Sequence, residues 1–92
     1  MPLYTFIMEY RGGTYIRQLR AATPRAAARA WAKRLDHGVV YGFGKAGKEQ
    51  LVRAMHDGIH DPVPITGVKH TWCCSALVRN HSMGINFVQT EE

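Results

Sequence analysis

Between Leu3 and Ala21 the chain alternates in hydropathy on either side of a glycine pair, and few structures other than a β-hairpin accommodate that pattern. Tyr4, Phe6, Met8 and Tyr10 alternate with Thr5, Ile7 and Glu9, the two-residue period of a strand with one buried face. Gly12-Gly13 supplies residues that tolerate positive φ in a tight turn. Pairing Arg11 with Thr14 sets Tyr10 opposite Tyr15, Met8 opposite Arg17, Phe6 opposite Leu19 and Tyr4 opposite Ala21. The apolar face is then Tyr4, Phe6, Met8, Tyr15 and Leu19, interrupted by Arg17 at its rim. The other face carries Thr5, Ile7, Glu9, Ile16, Gln18 and Arg20.

A helix follows directly. Thr23 has the side-chain oxygen of an N-cap, and Pro24 suits the first helical position, where no amide hydrogen is required. The alanine-rich body from Arg25 to Leu35 favours helix. At about 100° per residue Ala27, Ala28, Trp31, Ala32 and Leu35 form one stripe, with Arg25, Arg29 and Lys33 beside it. Val39-Val40-Tyr41 reads as a short strand, and a second helix is expected from Lys48 to His56, buried through Leu51, Val52 and Met55. Asp61-Pro62-Val63-Pro64 is an extended or edge segment, because prolines donate no ladder hydrogen bonds. Trp72, Cys74, Ala76 and Val78, a turn at Arg79 to Ser82, then Met83, Ile85 and Phe87 make a second hairpin. The expectation is one α+β domain over residues 1–92, in two layers: a mainly antiparallel sheet of two β-hairpins with helices on one face, in the order β-β-α-(β)-α-β-β. Trp31 and Trp72 are both expected in the core.

Size and composition bound the function. Ninety-two residues suit one domain with a modest core, and 46% hydrophobic with 21% charged residues is a globular balance. No apolar run reaches the roughly 20 residues of a membrane span, and Met1 to Tyr10 lacks the basic start and cleavage site of a secretory signal. Cys73 and Cys74 are adjacent, so they point to opposite sides of a strand and do not bond to each other. A reducing cytoplasm is the expected setting. The net charge of +5 is uneven: seven of twelve cations but one of seven acids lie between Met1 and Leu35. Such a lopsided charge suits contact with nucleic acid or an acidic protein, or simply a solvated face.

Four motifs bear on chemistry. Gly42-Phe43-Gly44-Lys45-Ala46-Gly47 is a literal G-x-G-x-x-G, but the following strand and acidic residue of a dinucleotide site are missing. What remains is an anion site on Gly44, Lys45, Gly47 and Lys48. His37, His56, His60, His70 and His81, with Asp57, Asp61 and the cysteines, lack paired metal-ligand spacing, so no metal or other cofactor is expected. A cysteine nucleophile built from Cys73 or Cys74 with His70 lacks an orienting acid and oxyanion donors, so no catalytic residue is assigned. Cys74 belongs with the core face. The basic stripe of Arg17, Arg20, Arg25, Arg29 and Lys33, with Tyr10 or Tyr15 to stack on bases, is the candidate nucleic-acid surface. The uncovered sheet face is the candidate protein surface, with Ile7 and Ile16 among Thr5, Gln18 and Thr71, and Leu77 and Val88 on the second hairpin.

The strand Tyr4 to Met8, the glycine turn, the strand Tyr15 to Leu19 and the helix led by Thr23-Pro24 resemble the opening of HicB-type antitoxins. The resemblance covers about a third of the chain. It implies a small sheet packed on a helix and a polypeptide partner, an RNase toxin. It carries no toxin-binding residue across, because the arginine-rich helix and the hairpin Trp72 to Val88 depart from that pattern. The leading expectation is a non-enzymatic interaction module that binds a protein partner or forms a homodimer. The alternative is nucleic-acid binding through the basic hairpin-helix face.

Overall fold

The structure is a computed structural model that describes all residues, Met1 to Glu92. It contains β1 (Leu3–Tyr10), β2 (Gly13–Arg20), α1 (Pro24–Arg34), α2 (Gly44–His56), β3 (Val63–Pro64), β4 (Thr71–Val78) and β5 (His81–Glu91). The strands form one five-stranded sheet in the order β2-β1-β5-β4-β3, with every pair antiparallel. Both helices cover the same face, so the fold is two-layer α+β. No helix is long and apolar enough to cross a membrane.

The two hairpins join through β1 and β5, whose buried faces supply Tyr4, Phe6, Met8 and Tyr10 and Met83, Ile85 and Phe87. The Phe6 ring lies between two others: Trp31 stacks on one side at 5.3 Å between centroids and Phe87 on the other at 4.3 Å. Trp72 extends the stack from Phe87 at 5.6 Å. Thr23 caps α1 by accepting a hydrogen bond from the Ala26 amide, and Ala27, Ala28, Trp31, Ala32 and Leu35 are buried as one stripe. The buried Tyr10 hydroxyl donates to the Val78 carbonyl at 2.9 Å, tying the ends of the two hairpins together.

Five sequence expectations need correction. The first hairpin turns at Arg11-Gly12, both with positive φ, so Tyr10 pairs with Gly13, Met8 with Tyr15, Phe6 with Arg17 and Tyr4 with Leu19. Two consecutive positive-φ residues are what a type I′ turn requires. Gly13 is extended instead and lies beneath the Tyr15 ring, where a Cβ would fall 2.7 Å from the hydroxyl oxygen. The second hairpin likewise turns at Arg79-Asn80, pairing Val78 with His81. Both shifts are of two residues and leave every side chain on its expected face. Val39-Val40-Tyr41 is not a strand; it belongs to a series of turns between the helices, and the extra strand is β3. The second helix begins at Gly44, not Lys48. Trp72 is half-buried, because it lies toward the end of the sheet where β3 is only two residues long.

Trp31→Ala should therefore cost about 3–5 kcal/mol in denaturant unfolding, with Trp72→Ala costing clearly less. Tyr10→Phe should cost about 1 kcal/mol through its single lost hydrogen bond.

Candidate functional site

The helix-free face of the sheet is organised in cross-strand rows. The register aligns Ile16, Ile7, Asn86, Cys73 and Val63 across all five strands. Next to it run Gln18, Thr5, Val88 and Thr71, with the Gln18 amide donating to the Thr5 hydroxyl. Ile16, Val63 and Leu77 are mostly exposed, and Ile7 is at the boundary of exposure. Thr5, Gln18, Thr71, Leu77 and Val88 all lie where the alternation placed them. Ile65 folds over part of this face and lines a small hollow with Ile7, Thr71, Asn86 and Val88.

The two sheet edges differ. On the β3 side, Val63-Pro64 closes part of β4, and a proline sits in the strand itself. On the other side β2 is an eight-residue edge strand without proline, paired with β1 alone. Since Tyr10 and Gly13 close a two-residue hairpin, the pairs hydrogen-bonded to β1 involve Gly13, Tyr15, Arg17 and Leu19. The backbone N–H and C=O groups of Thr14, Ile16, Gln18 and Arg20 point out of the sheet. The same alternation continues on the far strand, where the outward Thr71 carbonyl accepts from the Ile65 amide.

The cations of the sequence stripe are dispersed into internal roles. Arg20 donates to the Met1 carbonyl and pairs with Glu91 at 2.8 Å, holding the two ends of the chain together. Arg25 pairs with Asp61, which raises the guanidinium pKa through a hydrogen bond and opposite charge. Arg29 is half-buried and donates to the Met55 carbonyl in the last turn of α2, a favourable place for a cation near a helix C-terminus. Arg17 and Lys33 make no ion pair. Tyr10 is buried and Tyr15 half-buried, so Tyr10 presents no face for base stacking.

The glycines of the G-x-G-x-x-G segment have structural reasons. Gly42 and Gly44 have positive φ, and a Cβ on Gly47 would meet the Phe43 ring at 2.9 Å. No strand precedes them, so the strand-turn-helix of a dinucleotide site is absent. Lys45 and Lys48 do come together on α2, lining an open cleft of about 620 Å³ with His37, Glu49, Val52 and Arg53. None of its four basic side chains has a hydrogen-bond or ion-pair partner. Arg53 was legible from the sequence, since 45, 48, 49, 52 and 53 fall on one helical face; His37 reaches the cleft from the α1–α2 connection and had no such signal.

A groove of about 270 Å³ is lined by Ile59, His60, Asp61, Val63, Cys73, Cys74 and Ser75. His70, the partner expected for a cysteine nucleophile, is not among them; it is an exposed turn residue with positive φ. His60 is instead held by Asp57, 2.8 Å from its Nδ1. Burial pushes the Asp57 carboxyl up, but hydrogen bonds from the Ile59 and His60 amides and the His60 ring outweigh this and leave it below the usual range. Both cysteines are free. Burial, with added repulsion from Cys73 and Asp61, pushes the Cys74 thiol up to about 12, so it stays protonated rather than becoming a nucleophile. No group of three or more His, Cys, Asp or Glu side chains converges to hold a metal ion. No protein-family model matches the chain, and comparisons with curated proteins and with solved structures found no match.

The raised thiol fixes the sign of one pH effect. The unfolded thiol ionises near its ordinary value of 9.0 while the folded one stays neutral to about 12, so stability falls as pH rises across that window. Cys74→Ala should flatten the fall when unfolding free energies are compared at pH 8 and above; an unchanged slope would mean the folded thiol ionises normally.

Proposed function

We propose that this chain is a small, non-enzymatic interaction module that engages a polypeptide through the open β2 edge and the adjoining bare face of the sheet. The observation that carries this is the outward-pointing backbone of Thr14, Ile16 and Gln18 beside the exposed row begun by Ile16 and Ile7. Unpaired strand edges offer a full set of donors and acceptors to another chain, and the side chains next to them supply specificity. A polypeptide partner is also what the resemblance of residues 4–35 to HicB-type antitoxins implies. The cytoplasm suits two cysteines that form no disulfide.

Nucleic-acid binding is the second reading. Through the hairpin-helix face it is weakened by the internal partners of Arg20, Arg25 and Arg29. The cleft with Lys45, Lys48 and Arg53 is the better version, since its cations are unpaired and concave basic surfaces concentrate phosphate.

A photo-crosslinking amino acid placed at Ile16 and, separately, at Glu49 distinguishes the two. Irradiation in the producing cell should give a polypeptide adduct from position 16. Nucleic-acid adducts from position 49, with none from position 16, would replace the first reading by the second. In that event the Lys45→Gln, Lys48→Gln, Arg53→Gln variant should lose oligonucleotide binding and its steep salt dependence.

A further inference from the structure

Resting on the interaction-module reading, we propose that the occupant of the β2 edge is a second copy of this chain, paired antiparallel about a two-fold axis through Ile16. The two sheets then continue as one, with the helices of both copies on the same side.

The register follows from the strand itself. Only Thr14, Ile16, Gln18 and Arg20 present free backbone groups, so a symmetric pairing must set these residues against one another. With the axis at Ile16, Thr14 bonds Gln18 of the second copy, Ile16 bonds Ile16 of the second copy, and Gln18 bonds Thr14 of the second copy. Nearly the whole of β2 is used. Moving the axis to Arg17 would place two arginines directly opposite each other in a non-hydrogen-bonded pair, about 4.5 Å apart at Cα, where like charges repel. Moving it to Gln18 sets Ile16 against Arg20, whose guanidinium is already held by Glu91 and the Met1 carbonyl.

Both faces of the Ile16-centred seam are complementary. On the bare face, Ile16 is 67% exposed in the single chain. Pairing brings the rows of the two sheets into line, so that Ile7 and Ile16 of each copy form one continuous apolar patch across the seam. On the helix face, Arg17 of one copy lies opposite Tyr15 of the other. Tyr15 and Arg17 line a groove of about 300 Å³ with Trp31, Leu35, Asp36 and Val39, running along the β2 edge. Arg17 has no anionic partner within its own chain, and Asp36 has none either; its carboxylate only accepts from the Gly38 amide. Within one chain the two face the same groove without forming an ion pair; the seam brings the second copy's Arg17 to this acid, twice by symmetry, and covers Val39, which is 63% exposed. An arginine on an edge strand ordinarily guards against pairing. Here it has a matching acid beside the position it would reach.

The test is sedimentation equilibrium of the full chain from micromolar to millimolar concentration, with amide exchange as a second readout. A dimer is expected, and slowing of the Thr14, Ile16 and Gln18 amides should accompany it while Arg17, already bonded to β1, changes little. Ile16→Pro removes a seam donor without touching a bond to β1, and edge strands tolerate proline; it should give monomer whose unfolding midpoint no longer depends on concentration and stays close to that of the wild type at dilutions where the wild type is monomeric. Arg17→Glu and Asp36→Arg should each weaken the dimer by about tenfold or more, and an equimolar mixture of the two should form heterodimer, because both seam contacts are then of opposite charge. A monomer at every concentration, or a dimer indifferent to Ile16→Pro and to the charge changes, overturns the proposal. If the chain is monomeric yet position 16 cross-links another polypeptide, the interaction-module reading stands and only the identity of the occupant falls.

Discussion

The stack of Trp31, Phe6 and Phe87 is the contact on which the rest of this molecule depends. It draws one ring each from α1, β1 and β5, so it joins the helical layer to both hairpins at one point. Phe6 and Phe87 are also a cross-strand pair, and aromatic pairs on neighbouring strands stabilise a sheet beyond the area they bury. The alanines at 27, 28 and 32 matter for the same reason. Their small side chains, all buried, allow α1 to lie close enough for Trp31 to reach Phe6 in parallel. A longer side chain at Ala28 would lift the helix and separate the rings.

That stack makes the fold one-sided. Nearly all the aromatic bulk of the sheet, Tyr4, Phe6, Tyr10 and Phe87, projects toward the helices, where Trp31 and Phe43 meet it. Nothing of comparable size remains for the opposite face, which is left with isoleucine, valine and small polar residues. The joining of β1 to β5 then decides the edges. It places β1 inside and pushes β2 out, while the β3–β4 side is closed by a segment containing Pro62 and Pro64. The same core contact that stabilises the domain therefore produces both its bare face and its one long open edge.

The legible parts of this arrangement were those set by short periods along the chain. The faces of β1, β2, β4 and β5 follow from alternation, and the start of α1 from Thr23-Pro24. The first turn was misplaced by one residue and the second drawn two residues too long, yet because strands repeat every two residues neither hairpin exchanged its faces. Val39-Val40-Tyr41 was misread because a three-residue apolar run carries no period; only Val40 is buried there. The basic stripe failed for a different reason. Helical spacing correctly put Arg25 and Arg29 near each other, but their partners, Asp61 and the Met55 carbonyl, are 36 and 26 residues away. Local spacing reports which way a side chain points and says nothing of what waits there.

The same distinction changes the meaning of the positive charge in the first third of the chain. Arg20, Arg25 and Arg29 bridge segments distant in sequence, so they act as cross-links of the fold more than as a surface field. Exposed pairs of this kind contribute little each, but they fix where the chain ends and the β3 linker lie. Arg17 is different, for it stands on the open edge with no partner. An unmatched charge on an edge strand discriminates among pairings: it resists any register or partner that brings another cation to it, and it accepts one that brings an acid. Strand edges without such a residue pair indiscriminately, because the backbone is the same in every chain. With Arg17 on one side and Asp36 beside the groove, β2 keeps the adhesive backbone of an open edge and gains a condition on what is allowed to join it.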